Sequence, residues 1–362
     1  MIPNIIQRAS KSLSFRFRRQ MDRMKRVVSV NFPQGGVEKI KFVEQFSPQG
    51  DSEYDLYQKY YENSLRELVR FKKTRTGDLF APHTTHVGQY LFHLRCGAVQ
   101  KIAIDAHDNR NIRSQAIYDW SDIYFKSNKW PSVDYGPKVL PIITGNAGIT
   151  VENCRFLSSL RSVKKEYDLV FVGRIWAGGD ANVEHNLRLF ESLAKVNCKS
   201  KLLAVVFNFN KDGEDFLHIR ERLEKAGVEW TENQIGYGKL MELSAKSKLV
   251  VIRAGISGCI SWRVVDMLGI GACIVFDREP FPEWSVPLIE EKNFLSFDLG
   301  ITEDCQPALE TAYSNIFEKV KYFLNNKNTN KEISFKNAEY FDVNNHPLGF
   351  SRHIINKILD RI

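Results

Sequence analysis

The sequence predicts an α/β protein of two Rossmann-like, doubly wound domains that face each other across a cleft. The chain has 362 residues, more than the roughly 250 to 300 at which a single hydrophobic core stops growing. Hydrophobic residues make up 43% of the chain and charged residues 26%, as in ordinary folded proteins. Apolar runs of strand length alternate with amphipathic stretches of helix length, which is the pattern of parallel sheets covered by helices.

The first half of the chain contains the less regular series of elements. The run "RVVSVNF" predicts a strand at 26–32, and apolar residues at helical spacing predict a helix at 52–73 that ends in a basic turn. The segment "VGQYLFHLRCGA" at 87–98 is interpreted as a second helix. Short apolar runs predict further strands at 39–43, 78–82, 101–104 and 121–127.

The second half contains a regular series in which each strand is followed by a helix. Helices of about 10 to 15 residues between short apolar strands are typical of a parallel, doubly wound sheet. The predicted strands lie at 168–172, 201–207, near 228, at 248–253 and at 272–276. The predicted helices lie at about 183–196, 213–226, 238–246 and 259–268, with two more near 306–325 and 347–361.

Prolines and a polar stretch interrupt the pattern between the two series. We therefore predict an N-terminal domain at 1–145 and a linker at 146–166. A C-terminal domain at 167–335 and a final segment at 336–362 follow.

Basic residues are concentrated near the N-terminus. The first 26 residues carry eight Lys and Arg against one Asp, so the rest of the chain is almost neutral although the net charge is +8. Four apolar residues recur within 5–26 at the spacing of one helix face: Leu13, Phe17, Met21 and Met24. Such a helix would bind an anionic membrane surface or dock on its own domain, and both interpretations stay open. No nucleic-acid partner is expected, because no recognition motif follows the cluster.

Two patterns bear on where the protein acts. The sequence has no run of 18 apolar residues and no signal-peptide pattern, so we expect a chain that neither spans a membrane nor is secreted. Its six cysteines are scattered without a C-x-x-C pair, as in reduced proteins without a zinc site. We expect a cytoplasmic protein, peripheral at the inner face of the membrane if the basic helix binds there.

The first candidate site is the strand "YDLVFVGRIW" at 167–176. Open α/β sheets bind ligands at the carboxyl ends of their strands, so the loops that follow strands are where function is expected. Gly173 would let a ligand approach the backbone, and Arg174 would offer a cation to a nucleotide diphosphate. Alternatively, Arg174 pairs with a neighbouring carboxylate.

The second candidate site follows the strand at 248–253. The loop "AGISG" and the start of the next helix would offer free amides to an anion, and four residues are assigned to this role: Gly255, Ser257, Gly258 and Ser261. Arg263 would add positive charge, and Asp266 could hold the hydroxyls of a ribose. Alternatively, Arg263 and Asp266 form an i, i+3 pair within one helix.

The third candidate site is the loop in "KIAIDAHDNRN" at 101–111. Asp105, His107 and Asp108 follow a strand and could supply a general base or orient a sugar hydroxyl. Alternatively, the histidine is a hydrogen-bonded loop residue. The sequence contains no G-x-G-x-x-G, P-loop or G-x-S-x-G motif, which counts against dehydrogenases, NTPases and α/β-hydrolases.

These segments resemble the GT-B glycosyltransferases. "SWRVVDMLGIGACIVFD" is similar to their donor-binding segment, which in the retaining branch holds two glutamates eight positions apart. The second glutamate binds the ribose and matches Asp266, whereas the first falls at Gly258 and is missing. An arginine three residues before the acid, here Arg263, is similar to exostosin-like members.

Two further segments carry the resemblance. "DLVFVGR" resembles the first strand of the C-terminal GT-B domain, whose arginine contacts the donor diphosphate and matches Arg174; the lysine that usually follows is absent. In retaining members an N-terminal strand ends in His-Asp and a serine-bounded apolar segment follows, as His107-Asp108 and 121–127 do here. In that family the histidine contacts the donor sugar.

The resemblance implies an enzyme that moves a sugar from a nucleotide-sugar to a glycan or lipid-linked acceptor in cell-surface polysaccharide synthesis. It implies no cofactor, and arginines at the diphosphate would make a metal unnecessary. It also implies a last helix, within 336–362, that packs back on the N-terminal domain. Two alternatives stay open: a nucleotide-sugar 2-epimerase on the same fold, and a non-catalytic nucleotide-sugar or glycan-binding protein.

Overall fold

The computed structural model describes most of the chain after residue 35. The described residues are 36–47, 52–75, 86–146, 148–177, 183–208, 213–255, 258–279, 282–300 and 310–361. The basic segment at 5–26, the predicted strands at 26–32 and 78–82, and Ser257 lie outside them. No helix within these ranges is long and apolar enough to cross a membrane.

The N-terminal domain contains a mixed six-stranded sheet in the order β2-β1-β3-β4-β5-β6. Strand β3 is antiparallel to both of its neighbours, and the other pairs are parallel. The strands are β1 (Ile40–Ser47), β2 (Phe71–Arg75), β3 (Val87–Leu94), β4 (Val99–Asp105), β5 (Ile123–Lys126) and β6 (Val139–Pro141).

The predicted helix at 87–98 is wrong, because this segment forms strand β3. Six of the eight residues of "VGQYLFHL" are buried, since the strand lies inside the sheet with both faces covered. A strand covered on both faces shows no alternation of apolar and polar residues, and a short apolar run cannot then be distinguished from a helix by its period.

The C-terminal domain contains a second six-stranded sheet, in the order β12-β11-β10-β7-β8-β9. Every strand pair in it is parallel. Numbered within the domain, this is the 3-2-1-4-5-6 order of the Rossmann fold. The two sheets confirm the predicted fold class. The strands are β7 (Tyr167–Ala177), β8 (Ser200–Asn208), β9 (Glu229–Thr231), β10 (Ser247–Ile252), β11 (Ile274–Phe276) and β12 (Phe294–Ser296).

Eleven α-helices connect or cover the strands within the described ranges. They are α1 (Ser52–Arg66), α2 (Gln115–Trp120), α3 (Val151–Ser159), α4 (Val183–Ala194), α5 (Glu214–Lys225), α6 (Tyr237–Ala245), α7 (Arg263–Gly269), α8 (Glu310–Ser314), α9 (Ile316–Asn325), α10 (Lys327–Tyr340) and α11 (Pro347–Leu359). Helix α3 lies within the predicted linker at 146–166. It begins after Thr150, whose side chain caps it by accepting a hydrogen bond from the Asn153 amide.

The last helix, α11, packs against α1 of the N-terminal domain. The Phe350 ring lies 4.9 Å from the Tyr60 ring, and the Tyr60 hydroxyl donates to the Asn345 carbonyl at 2.8 Å. Pro347 occupies the first turn, where its missing N–H leaves no hydrogen bond unmade. The chain therefore returns to the N-terminal domain after completing the second sheet. The domain boundaries themselves stay predictions.

The two sheets also share one apolar core. A single cluster of buried side chains includes Ile104 and Phe125 from the first sheet and Ile252 and Phe276 from the second. Next to it, the Trp284 indole N–H donates to the Thr144 hydroxyl at 3.2 Å. Large apolar contacts between domains oppose their relative motion, so we expect the two domains to behave as one body on this side.

Candidate functional site

Strand β7 extends beyond its neighbour β10 at the carboxyl edge of the second sheet. The last pair between them is Phe171 with Val251, whereas β7 stays paired with β8 as far as Ala177. The strand therefore does not stop at Gly173 but continues for four residues. The exposed Arg174 lies beyond the point where β10 ends at Ile252.

Gly173 serves packing in this structure. The residue is buried, and a Cβ atom there would lie 2.9 Å from Cε2 of Phe190 and 3.0 Å from Cζ of Phe171. The glycine makes room for the Phe190 ring of α4, which covers this face of the sheet. Packing is thus one reason for this glycine, and its role at a ligand stays a prediction.

Arg263 lies within electrostatic range of two other arginines at this edge, Arg174 and Arg253. Arg263 of α7 donates through Nη1 to the Val172 carbonyl, which places its guanidinium beside β7. Burial and the charges of Arg174 and Arg253 lower the pKa of Arg263 to about 10, although Asp266 opposes the shift. Like charges this close repel one another in the absence of an anion. The edge is therefore electropositive and suited to a phosphate group.

The loop between β10 and α7 is less open than predicted. Four of its amides donate within the protein: Ala254 to Asp277 Oδ1, Gly255 to the Cys259 carbonyl, Gly258 to the Gly255 carbonyl, and Ile260 to Asn128 Oδ1. The prediction of free amides is wrong for these four. Helix α7 begins at Arg263 rather than near 259 and has seven residues. Ser261 accepts from the Arg263 amide at 3.4 Å and acts locally.

The loop closes because it packs against the N-terminal domain. Gly258 has a φ of +74°, and a Cβ there would lie 3.1 Å from the Trp130 ring. The Cys259 thiol is buried, and burial and the nearby Asp108 carboxyl group raise its pKa. Asn128 joins the two candidate loops, because its Nδ2 donates to the His107 carbonyl at 3.4 Å and its Oδ1 accepts the Ile260 amide at 3.2 Å.

A buried cluster that the sequence did not predict supports this loop. His185 Nε2 lies 2.9 Å from Asp277 Oδ2, and His185 Nδ1 lies 2.6 Å from the Tyr313 hydroxyl. The other Asp277 oxygen accepts the Ala254 amide at 2.9 Å. These contacts keep the pKa of the Asp277 carboxyl below its usual value despite burial. The only available signal was the position of Asp277 directly after strand β11.

Asp266 lies in α7 with its carboxylate against the segment that joins the two sheets. Oδ2 accepts from Asn146 Nδ2 at 2.7 Å, and Oδ1 accepts from the Tyr237 hydroxyl at 2.8 Å. Burial raises the pKa of this carboxyl group to about 7, although both hydrogen bonds oppose the shift. The side-chain partners of Asp266 are thus Asn146 and Tyr237. They are not Arg263, which the sequence had offered as an i, i+3 partner within the helix.

A groove of about 460 Å³ opens beside this carboxylate. Tyr237 lines it with its ring, and the Asn153 side chain donates to the Tyr237 hydroxyl at 3.0 Å. Its other lining residues are Asn146, Gly148, Thr150, Glu152 and Phe156. Most of the surface that lines the groove is apolar, although amide, hydroxyl and carboxylate side chains are among its lining residues.

Asp105 is fully buried at the end of β4 and has three hydrogen-bond donors. Oδ2 accepts from the Tyr124 hydroxyl at 2.8 Å and from Lys126 Nζ at 3.1 Å, in an ion pair without solvent exposure. Oδ1 accepts the His107 amide at 2.9 Å. The carboxylate therefore anchors the start of the loop.

His107 is half-buried, with one ring nitrogen occupied. Nδ1 accepts the Asn109 amide at 2.8 Å, so the neutral ring carries its proton on Nε2. The His86 ring lies 4.4 Å away, edge-on. Burial and the neighbouring His86 lower the pKa of His107 to about 4. Near neutral pH this side chain is a hydrogen-bond donor.

Asp108 is partly buried in the same loop. Burial raises the pKa of this group to about 6, although the Cys259 thiol and Lys126 oppose the shift. Its Oδ1 is shielded from solvent and has no hydrogen-bond partner among the described residues. It could accept a hydrogen bond from a ligand. No group of three or more His, Cys, Asp or Glu side chains suited to a metal ion occurs in the described ranges.

No family model matches the sequence, and no curated protein matches it. Solved structures with a similar arrangement of strands and helices include glycosyltransferases. One is the C-terminal domain of the group 1 family glycosyl transferase LpcC from Francisella tularensis, with 10% identity, a TM-score of 0.35, and coverage of 52% of this chain and 90% of that domain.

Two longer proteins show a similar level of likeness. A glycosyltransferase from Rickettsia africae has 12% identity and a TM-score of 0.41, over 66% of this chain and 63% of its own. The Anabaena protein HepE, solved with UDP and glucose, has 11% identity and a TM-score of 0.40, over 67% of this chain and 64% of its own. The match thus spans less than two thirds of these two proteins.

Proposed function

We propose that the protein is a GT-B glycosyltransferase that transfers a sugar from a nucleotide-sugar to a glycan or lipid-linked acceptor. The observation that carries this proposal is the group of Arg174, Arg253 and Arg263 at the carboxyl edge of a Rossmann-ordered sheet. The His107 loop is joined to the loop between β10 and α7 by Asn128, which hydrogen bonds to both. Cell-surface polysaccharide synthesis at the inner face of the membrane is the proposed setting.

The arginines would bind the donor diphosphate. Guanidinium groups match phosphate oxygens with paired N–H donors. Negative charge grows on the diphosphate as the bond to the sugar breaks, and fixed cations stabilise that charge. Three guanidiniums would supply the positive charge that a metal ion provides in other transferases, so we propose metal-independent transfer without a cofactor.

The loop at 105–109 would bind the sugar. We propose that His107 donates from Nε2–H to a sugar hydroxyl, since Nδ1 is occupied by the Asn109 amide and the ring is neutral near pH 7. Asp108 would accept from another hydroxyl through its unpartnered Oδ1. Asp105 would act as a positioning residue, because its oxygens are filled by protein donors.

A ribose at Asp266 requires a change of partners. Its two oxygens already accept from Asn146 and Tyr237, and the residue is only 3% exposed. We propose that the ribose hydroxyls take the place of Asn146 when the nucleotide enters from the adjacent groove. The loop residues Gly255, Gly258 and Ser261 would then shape the pocket rather than donate amides to the phosphates.

The occupied groups favour one alternative function. In a non-catalytic nucleotide-sugar or glycan-binding protein, the protein itself could keep Asp266 and the loop amides permanently paired. Such a protein would bind nucleotide-sugars without consuming them. Turnover in the presence of a mixed pool of glycan acceptors distinguishes the two functions.

The test is thermal unfolding with UDP-, GDP-, ADP- and CMP-sugars. A ligand at 100 times its dissociation constant adds about 2.7 kcal/mol to the stability of the folded state, which raises Tm by several degrees. Arg174→Ala should abolish the shift, whereas Arg220→Ala should retain it, because Arg220 lies on α5 in an exposed pair with Glu224. If no nucleotide-sugar raises Tm, or if Arg174→Ala responds like the parent protein, the proposal fails.

A further inference from the structure

Two aromatic side chains lie next to Arg174 near the carboxyl end of β7. Trp176 of β7 and Phe207 of β8 are register partners, and their rings stack with centroids 4.9 Å apart and an interplanar angle of 23°. The Arg174 guanidinium lies 5.7 Å from the centre of the Phe207 ring. We call Arg174, Trp176 and Phe207 the aromatic ledge.

The ledge lies on the sheet face that also carries α7. Side chains alternate along a strand, so Val170, Val172, Arg174 and Trp176 share one face. Val170 belongs to the core cluster that contains Val264 of α7. Phe171 and Ile175 belong to the cluster on the opposite face, with α4.

Burial along this face decreases toward the end of β7. Val170 is 1% exposed and Val172 5%, whereas Trp176 is 36% exposed. The change occurs where β10 ends and no longer borders β7. An indole that served packing alone would be covered like the residues before it, and exposed aromatic surface next to a charged site is a common feature of binding sites.

We propose that the aromatic ledge stacks a sugar ring, from either the donor or the acceptor. This inference rests on the proposed function, since it takes the three arginines as the diphosphate site. Residues two apart on a strand are about 6 to 7 Å apart, so Trp176 stands one ring's width beyond Arg174. A pyranose has an apolar face of C–H groups that can cover the indole, while its hydroxyls stay free to meet Arg174.

The experiment measures the binding of matched probes to the full chain by tryptophan fluorescence and calorimetry. The probes are UDP, GDP and ADP, their glucose or mannose conjugates, and the neutral disaccharide maltose with and without the diphosphate. The variants are Trp176→Ala, Trp176→Phe and the control Tyr322→Ala, which removes an aromatic side chain of α9 that is 64% exposed.

If the donor sugar stacks on the ledge, Trp176→Ala should weaken binding of the nucleotide-sugar about tenfold, which is the scale of one ring contact. Binding of the nucleoside diphosphate without a sugar should weaken less than twofold. An acceptor sugar on the ledge predicts the same loss for maltose alone. Trp176→Phe should recover most of the affinity, because a smaller ring still stacks. Tyr322→Ala should bind every probe like the parent protein.

Equal weakening of diphosphate and nucleotide-sugar would place the nucleobase on the ledge and overturn the inference. Unchanged binding of all probes by Trp176→Ala would overturn it as well. If the parent protein binds maltose through Trp176 but no nucleotide, the ledge stands and the proposed transferase fails. If the parent protein binds none of the probes, both fail.

Discussion

Asn146 donates a 2.7 Å hydrogen bond to the buried carboxylate of Asp266, 120 positions further along the chain. This contact joins the segment between the two sheets to helix α7. It also occupies an oxygen of the residue to which the sequence assigned the ribose. The protonation state of this carboxyl group should therefore affect both the stability of the fold and the binding of a nucleotide.

Asp266 should make the protein less stable as the pH rises. Its pKa is about 7 in the folded protein and about 3.9 in an unfolded chain. The folded state thus binds the extra proton between about pH 4 and 7, and the free energy of unfolding falls with rising pH over that window. Urea unfolding at pH 5 and pH 8 should show a larger loss for the parent protein than for Asp266→Asn.

The control for this measurement is Asp215→Asn, at an exposed position in the first turn of α5. It should follow the pH dependence of the parent protein. If Asp266→Asn loses as much stability as the parent between the two pH values, the carboxyl group does not titrate in that window.

Gly173→Ala should destabilise the protein by about 1 to 3 kcal/mol, the usual cost of overpacking a core. The added Cβ would lie 2.9 Å from Phe190 Cε2 in a buried position. Gly236→Ala is the matched control, because a Cβ there meets nothing within 4 Å and its φ is −58°. Denaturant unfolding measures both. Rescue of Gly173→Ala by Phe190→Leu would identify the ring as the cause, and equal stability of the two glycine variants would contradict the packing role.

Lys126→Met should destabilise the protein by about 3 to 5 kcal/mol, because it leaves the Asp105 charge buried without its cation. Adding Asp105→Asn should recover part of the loss, since the charge is then removed as well. Lys72→Met breaks an exposed pair with Glu44 and should cost about 0 to 1 kcal/mol. Urea unfolding of the three variants measures these losses. If Lys126→Met has only a small effect, water reaches the Asp105 carboxylate.

His107 should stay neutral, in one tautomer, between pH 5.5 and 8. Its pKa is lowered to about 4 by burial and by His86, and its Nδ1 accepts the Asn109 amide. Because the folded pKa lies below the unfolded value of about 6.5, this group costs stability as the pH falls from about 6.5 to 4. Nitrogen NMR of the ring, assigned with His107→Gln, should show a protonated Nε2 throughout. A titration near pH 6.5 would refute this.

The regular strands and helices of the second domain could be predicted from the local pattern of apolar residues. Strands β7, β8 and β10 and helices α4 to α6 formed near their predicted positions, because one face of each helix and both faces of each strand are apolar. The pattern failed for β3, which is buried on both faces within a mixed sheet. It also misplaced the end of β7, since pairing with β8 continues beyond β10.

The sequence predicted the place of one basic residue of the candidate site, although Arg174 lies within β7 rather than after it. Arg174 stands at the carboxyl edge as expected, because strand alternation and sheet order place it there. The occupation of the loop amides by Asn128 and Asp277 could not be predicted, because these partners come from another domain and another strand. The stacking of Trp176 on Phe207 depends likewise on the register of two strands.

The residue pattern alone determined the fold class and the place of Arg174 at the carboxyl edge of the second sheet, because both depend on periodicity within single elements. Only the tertiary structure decided what the site residues touch: Asp266 contacts Asn146 and Tyr237, and Gly173 lies against Phe190. These contacts join residues far apart in the chain. The free energy that each contact contributes depends on burial and on atomic positions, and neither can be predicted from the local sequence pattern.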